Sequence, residues 1–297
     1  MLSPEFLKKL RKIELNTRKV INTTFVGEYR STFKGTGMEF VDVREYLPGD
    51  DIRAIDWKVT ARMDRPYAKK FIEERELTVI LCVDASGSGY FGTRSRFKLE
   101  QSAQVAATLA FSAVTNNDKV GLLFFTDRVE RYVPPRKGKQ HVMRMVRDIL
   151  MFEPENRGTK PAAALEFVMR LMKRRAIVFL LSDFLGPGFS DEAVRTPLGI
   201  AARKHDLVAI PITDPAEWQL PRIGLADLED TETGEILTVD TSNAALRKSY
   251  EDHMRAQMIR RDRMFKQLGI DSIALETRED FTPKLHKFFQ QRARRFH

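Results

Sequence analysis

The sequence predicts an α/β protein: a doubly wound, mostly parallel sheet with one antiparallel edge strand, preceded by a β-rich N-terminal accessory region. Three observations predict it. Apolar runs of strand length at residues 78–83, 120–125, 176–181 and 207–212 alternate with longer segments of helical period, the pattern of a parallel sheet covered on both faces. Residues 120–125 and 129–133 are joined only by a tight turn at Asp127-Arg128, too short for a crossover, so they form an antiparallel hairpin at one edge. From 23 to 76 the texture differs: Gly35, Gly37, Pro48, Gly49 and Pro66 punctuate short segments, and residues 38–45 alternate apolar with charged, as strands and turns do.

In chain order, Ser3-Pro4-Glu5 starts a helix with a cap, a first-turn proline and a carboxylate at the positive dipole end; Phe6, Leu10, Ile13 and Thr17 mark one face. Gly49-Asp50-Asp51 reads as a turn. Glu39, Asp42, Glu45, Asp50, Asp51 and Asp56 lie among Arg44, Arg53 and Lys58, and cross-strand ion pairing explains them better than a second metal site. Residues 97–113 form a helix whose Val105, Leu109 and Ala113 face the sheet. Further helices are expected at 138–150, 162–172 and 244–268, a last strand at 270–275, and a closing helix at 281–289. Residues 218–240 are irregular, with Thr233-Gly234 in a hairpin loop. The expected division is therefore 1–77, the N-terminal helix and accessory region, and 78–297, the sheet domain with 218–240 as a hairpin insertion. The shared turn-rich texture of 23–76 and 218–240 suggests one accessory unit.

Composition narrows the function classes. Hydrophobic residues make up 42% of the 297, enough for a sizeable core and against global disorder. The net charge of +9 suits an acidic partner, nucleic acid or an anionic surface without deciding among them. The single cysteine, Cys82, lies inside an apolar strand and reads as a buried, inert thiol. No segment reaches the roughly 18 apolar residues that span a bilayer. Lys8, Lys9, Arg11, Lys12 and Glu14 interrupt any signal-peptide core, so a cytoplasmic location is expected.

The sharpest local feature is Asp84-Ala85-Ser86-Gly87-Ser88, directly after the strand ending at Val83. Ligands of open α/β sheets sit outside the carboxyl ends of the strands. A carboxylate and two hydroxyls in one loop there offer oxygen ligands to a hard cation, Mg2+ or Mn2+. Thr159, at a loop-to-helix junction, and Asp183, at the carboxyl end of the 176–181 strand, supply two more oxygens. Taken singly these are ordinary: Asp and Ser favour turns, Thr159 could be a helix cap, and Asp183 could simply end a strand. Their common placement on one sheet edge is the stronger signal. Mg2+ dehydrates reluctantly, so one carboxylate is expected to ligate through water.

These residues resemble the metal-ion-dependent adhesion site of the von Willebrand factor A fold, a D-x-S-x-S loop with a later Thr and a later Asp. The wider text resembles the bacterial domain of unknown function 58 family: Gly35-Thr36-Gly37-Met38-Glu39-Phe40, Asp42-Val43-Arg44-Glu45-Tyr46, Gly49-Asp50-Asp51, Arg53, Ile55-Asp56-Trp57, Asn117-Asp118-Lys119-Val120-Gly121 and Ser182-Asp183-Phe184. The resemblance implies Asp84, Ser86, Ser88, Thr159 and Asp183 as metal ligands, a MoxR-type AAA ATPase as partner, and no assigned catalysis. One departure is Gly89-Tyr90-Phe91, where a bulky Tyr90 stands beside the loop.

Three function classes follow. The first is an interaction module in which a partner's acidic side chain completes the cation's shell. The second is a metal-assisted hydrolase or phosphotransferase with Asp84 as nucleophile or the ion as Lewis acid. Against the second, position 86 is Ser where phosphoaspartyl enzymes carry Asp. No P-loop or H-E-x-x-H string occurs, and His141, His205, His253, His286 and His297 lack ligand spacing. The third, nucleic-acid binding, is motivated by the charge and by Arg292, Arg294 and Arg295, but no recognition motif accompanies them. The first class is the expected one.

Overall fold

Uninterrupted apolar runs are what strands need when both faces of a sheet are covered, and these runs form the centre of the fold. The computed structural model describes residues 11, 13–15, 17, 23–32, 39–63, 65–72, 76–91, 97–186, 189 and 191–295. Along the chain come α1 (Thr23–Thr32), β1 (Glu39–Glu45), α2 (Trp57–Thr60) and β2 (Tyr67–Ile72). Then follow β3 (Thr78–Asp84), α3 (Lys98–Thr115), β4 (Lys119–Phe125), β5 (Val129–Arg136), α4 (Lys139–Leu150) and α5 (Pro161–Leu171). The remainder is β6 (Ile177–Ser182), α6 (Asp191–Lys204), β7 (Asp206–Thr213), α7 (Pro215–Trp218), β8 (Leu225–Glu229) and β9 (Ile236–Asp240), then α8 (Ala244–Gln267), β10 (Asp271–Ser272), β11 (Leu275–Glu276) and α9 (Thr282–Arg295). Two compact units result, Met1–Thr32 with Thr78–His297, and Phe33–Leu77.

The central sheet has the order β10–β7–β6–β3–β4–β5, with β11 also pairing β7. Every pairing is parallel except β4 with β5, so the fold is α/β with a mostly parallel sheet and one antiparallel edge strand. In β6 all six residues are buried, while edge strand β5 is only half-buried and tolerates Pro134 and Pro135. One face of the sheet, including Ile80, Cys82, Leu123, Val178 and Leu180, packs in a single core with residues of α5, α6 and α8. Helix α3 lies almost wholly buried, with Ala103, Val105, Ala106, Ala107 and Leu109 inaccessible, since small residues allow the close approach of a helix to a sheet. Cys82 is inaccessible, and burial pushes its thiol well above the ordinary range.

Several expectations change. Residues 23–32 are helical, not strands and turns: the β-branched start of α1 is overridden by packing, with Tyr29 edge-on to Phe289 of α9 and Thr32 Oγ1 donating to the Phe289 carbonyl at 3.0 Å. Helix α1 therefore belongs with the sheet unit. Helix α6 was not expected, because Pro197 and the charged residues around it mask its apolar face, Val194, Leu198 and Ala201. The last strand is two short pieces, β10 and β11, and the closing helix runs on to Arg295. Segments 23–76 and 218–240 share no sheet: β1–β2 and β8–β9 are separate antiparallel pairs. The expected helix start at Ser3-Pro4-Glu5 lies outside the described residues; residues 11, 13–15 and 17 are helical, with Ile13 and Thr17 buried.

The acidic residues of unit Phe33–Leu77 serve the backbone and nearby cations. Asp50 pairs with Arg44 at 2.7 Å and Glu45 with Arg65 at 2.9 Å, while Asp51 and Asp56 cap the turns that follow them. Two of the arginines near the C-terminus, Arg292 and Arg295, are likewise spent on structure. Arg292 is buried and pairs with Asp206 and Asp271, and Arg295 reaches Asp271 at 2.8 Å. Cations in the last turn of a helix also oppose its dipole.

His205 sits fully buried where α6 turns into β7, its Nδ1 accepting from the Ala176 N–H at 3.3 Å. Burial, then Lys204 and Arg175, lowers its pKa to about 4. An unfolded histidine takes a proton near 6.5. The folded state therefore binds fewer protons between those values, and stability is lost as pH falls from about 6.5 towards 4. The loss at this residue is expected to be on the order of 2 kcal/mol. It is read as the difference in melting temperature between pH 7 and pH 4.5, which should be smaller in His205→Asn than in wild type. An equal difference in both would assign the acid sensitivity elsewhere.

Candidate metal centre

Strand order brings the expected oxygens to one edge. β3 and β6 are parallel neighbours whose last pair is Val83 with Leu181, so Asp84 and Ser182 emerge side by side at their carboxyl ends. Ser182 Oγ donates to Asp84 Oδ2 at 2.6 Å, and the Ser86 N–H donates to Asp84 Oδ1 at 3.0 Å. Gly87–Tyr90 forms a tight 3-10 turn, which sets Ser86 Oγ 3.1 Å from Ser88 Oγ. Ser88 in turn bonds the Asp183 carboxylate. The Gly87 N–H donates to the Arg157 carbonyl at 2.9 Å and ties this loop to the one bearing Thr159. Thr159 stands one residue before the cap of α5, which is Lys160, so its hydroxyl is not an N-cap. It donates instead to Glu232 Oε1 at 2.7 Å. The Tyr90 side chain lies outside the described residues.

Asp183 leaves the strand with its Oδ1 accepting from the Leu185 N–H at 3.0 Å and its Oδ2 from Lys98 Nζ at 2.7 Å. Phe184, next in sequence, takes φ +57, a left-handed backbone that a bulky residue adopts only under constraint. Packing on Phe189 and Phe265 supplies that constraint and fixes the bend beneath the site.

Three residues at this edge carry charge that sequence reasoning missed. Lys98, the first residue of α3, is 3% exposed and bridges Asp183 and Glu217. Glu217 is held for the task by a capping box: its Oε2 accepts from the Asp214 N–H at 2.8 Å, leaving Oε1 for the ammonium. Glu232 comes from the β8–β9 hairpin. Their sequence signals are faint. Lys98 follows Arg94 and Arg96 in what reads as a solvated basic stretch, and Glu232 sits in a polar turn.

The electrostatics are those of a site short of positive charge. Burial, then the charge of Asp183, raises the Asp84 pKa to about 7. Burial raises Glu217 to about 7 and also raises Glu232. Asp183 feels the same burial, but Lys98 outweighs it and holds its carboxyl below the usual range. One buried ammonium thus pairs with Asp183 and Glu217, while Asp84 and Glu232 stand beside them without a cation of their own in contact among the described residues. A cavity of about 10 Å³, close to one water-sized sphere, lies among Asp84, Ser88, Lys98, Ser182 and Asp183. Among the described residues no three His, Cys, Asp or Glu side chains converge as a ready metal cluster. The donor set is instead two carboxylates with hydroxyls, oxygen-only and fitted to a hard divalent ion. Asp84 would hold it with Ser86 and Ser88. Asp183, whose Oδ2 is already neutralised by the Lys98 ammonium, would act through water.

The other titratable candidates have structural work. Asp214 caps α7, and Asp127 accepts from Asn156 Nδ2 at 2.8 Å in the β4–β5 turn. His141 bonds the Val120 carbonyl at 2.9 Å, and His286 pairs with Glu28 at 2.8 Å.

The family described as "Protein of unknown function DUF58" matches residues 42–260, about three-quarters of the chain. The chain belongs to this family. It is 30% identical over 293 residues to the uncharacterized protein Rv1480 of Mycobacterium tuberculosis, covering 98% of this chain and 91% of that one. Among solved structures it is similar to the conserved hypothetical protein BatB from Bacteroides thetaiotaomicron, with 14% identity, a TM-score of 0.48, and coverage of 73% of this chain and 99% of that one. It is also similar to a von Willebrand factor type A protein from Catenulispora acidiphila, with 10% identity, a TM-score of 0.39, and coverage of 76% and 44%. Among the described residues of this DUF58 chain, no helix is long and apolar enough to cross a membrane.

Proposed function

We propose that this DUF58 protein is a divalent-cation-dependent protein-interaction module of von Willebrand factor A type. In this reading it works in the cytoplasm with a MoxR-type AAA ATPase, in a chaperone-like or assembly role, and catalyses no reaction itself. The observation that carries the reading is the edge formed by Asp84, Ser86, Ser88 and Asp183, an oxygen-only set of two carboxylates and two neutral hydroxyls. A cation held there by one direct carboxylate and neutral hydroxyls keeps positive charge, which an acidic side chain of a partner can satisfy. The ATPase is proposed on the family resemblance.

The test is capture of the purified ATPase by the full chain in Mg2+ and in excess chelator. Capture should need the cation and should be lost in Asp84→Asn. Capture that is unchanged by chelator would overturn the cation-dependent reading. Metal-dependent phosphoester turnover that disappears in the same variant would replace it with the hydrolase reading.

A further inference from the structure

We propose that Glu232 is itself a ligand of the cation, a carboxylate that the β8–β9 hairpin of the same chain places where a partner's acidic side chain would bind. The inference rests on the cation reading above and deepens it: a partner's acidic side chain reaches the ion only by displacing Glu232.

The hairpin tip is built to reach the site. Asp230 Oδ1 accepts from the Glu232 and Thr233 N–H groups, at 2.8 and 3.2 Å, and Gly234 at φ +74 closes the turn. The Glu232 side chain is thereby turned inward, half-buried, with its Oε1 on the hydroxyl of Thr159, one of the expected ligands. Both carboxylate oxygens also lie within 3.9 Å of where a side chain on Gly186 would begin, just past Asp183. A hydroxyl that donates its proton to a carboxylate still has lone pairs for a metal, so Thr159 can serve both.

The backbone tells the same story from the other side. A Cβ on Gly87, the residue between the two serines of the D-x-S-x-S loop, would lie 2.1 Å from the Thr231 carbonyl oxygen. The loop needs glycine there because the hairpin backbone rests on it. Behind the tip the hairpin strands face solvent, with Leu225 76% and Leu237 66% exposed. The carboxylate therefore comes on an arm seated by its tip.

Mn2+ binding to the full-length chain tests the proposal, with affinity from electron paramagnetic resonance and the number of inner-sphere waters from relaxation in 17O-water. Glu232→Gln keeps the shape and the acceptor for Thr159 but lowers the ligand charge. It should bind Mn2+ about tenfold more weakly and carry one more water than wild type. Acetate should displace that extra water in the variant and leave wild type unchanged. Equal affinity with an equal water count in the two proteins would overturn the proposal while leaving the cation site intact. Failure of wild type to bind Mn2+ at all would overturn the cation reading itself, and this inference with it.

Discussion

Asp84→Asn is expected to lower the affinity for Mg2+ or Mn2+ by about 100-fold, close to 3 kcal/mol, while leaving the ion-free fold as stable as wild type or slightly more so. Asparagine reproduces the shape and the local bonds: its oxygen can accept from the Ser86 N–H, and its amide can meet Ser182 Oγ, the partners of the carboxylate. What it removes is a buried negative charge beside Asp183. Without a cation that charge is a liability, since burial and the neighbouring carboxylate both oppose it. In the proposed site it would be the main direct ligand of the cation. Calorimetric titration measures the first half and thermal melting in chelator the second. Unaltered cation affinity would remove Asp84 from the site, and a melting temperature many degrees lower would make it a structural residue instead.

Lys98→Met should act in the opposite sense on the ion-free protein. The lysine side chain is 4% exposed and faces Asp183 at 5% and Glu217 at 12%. Methionine fills similar space but leaves two buried carboxylates without their counter-ion. Breaking a buried pair from one side costs about 3–5 kcal/mol, which in a domain of this size is a fall of roughly 10 °C. A divalent cation then has more negative charge to neutralise. Added Mg2+ should therefore raise the melting temperature further in the variant than in wild type, through linkage of binding to folding. A variant that melts with wild type in chelator would show that the ammonium is not the counter-charge of these carboxylates.

These two residues mark the limit of what could be read from the sequence. Asp84 was visible because its environment is local: an apolar run ends at Val83, and a turn of alternating oxygens begins. The strands β3, β4, β6 and β7 were visible for a related reason. Burial on both faces demands an unbroken run of apolar residues, and few other elements produce one so short. Lys98 was not visible, because its partners lie 85 and 119 residues away and nothing near it distinguishes a buried ammonium from a solvated one. Helix α6 was obscured by Pro197 within it, and α1 by a weak helical sequence that its contact with α9 makes good.

The sequence by itself determined the alternation of elements, the antiparallel edge at β5, and the loop of oxygens after β3, since each is written in residues close together. Only the tertiary structure decided which charges meet. Lys98 on Asp183 and Glu217, Glu232 on Thr159, and Arg292 on Asp206 all join residues more than 70 positions apart. A charge in a low-dielectric interior is defined by its neighbours in space, and those neighbours exist only once the strand order has brought their loops to a common edge.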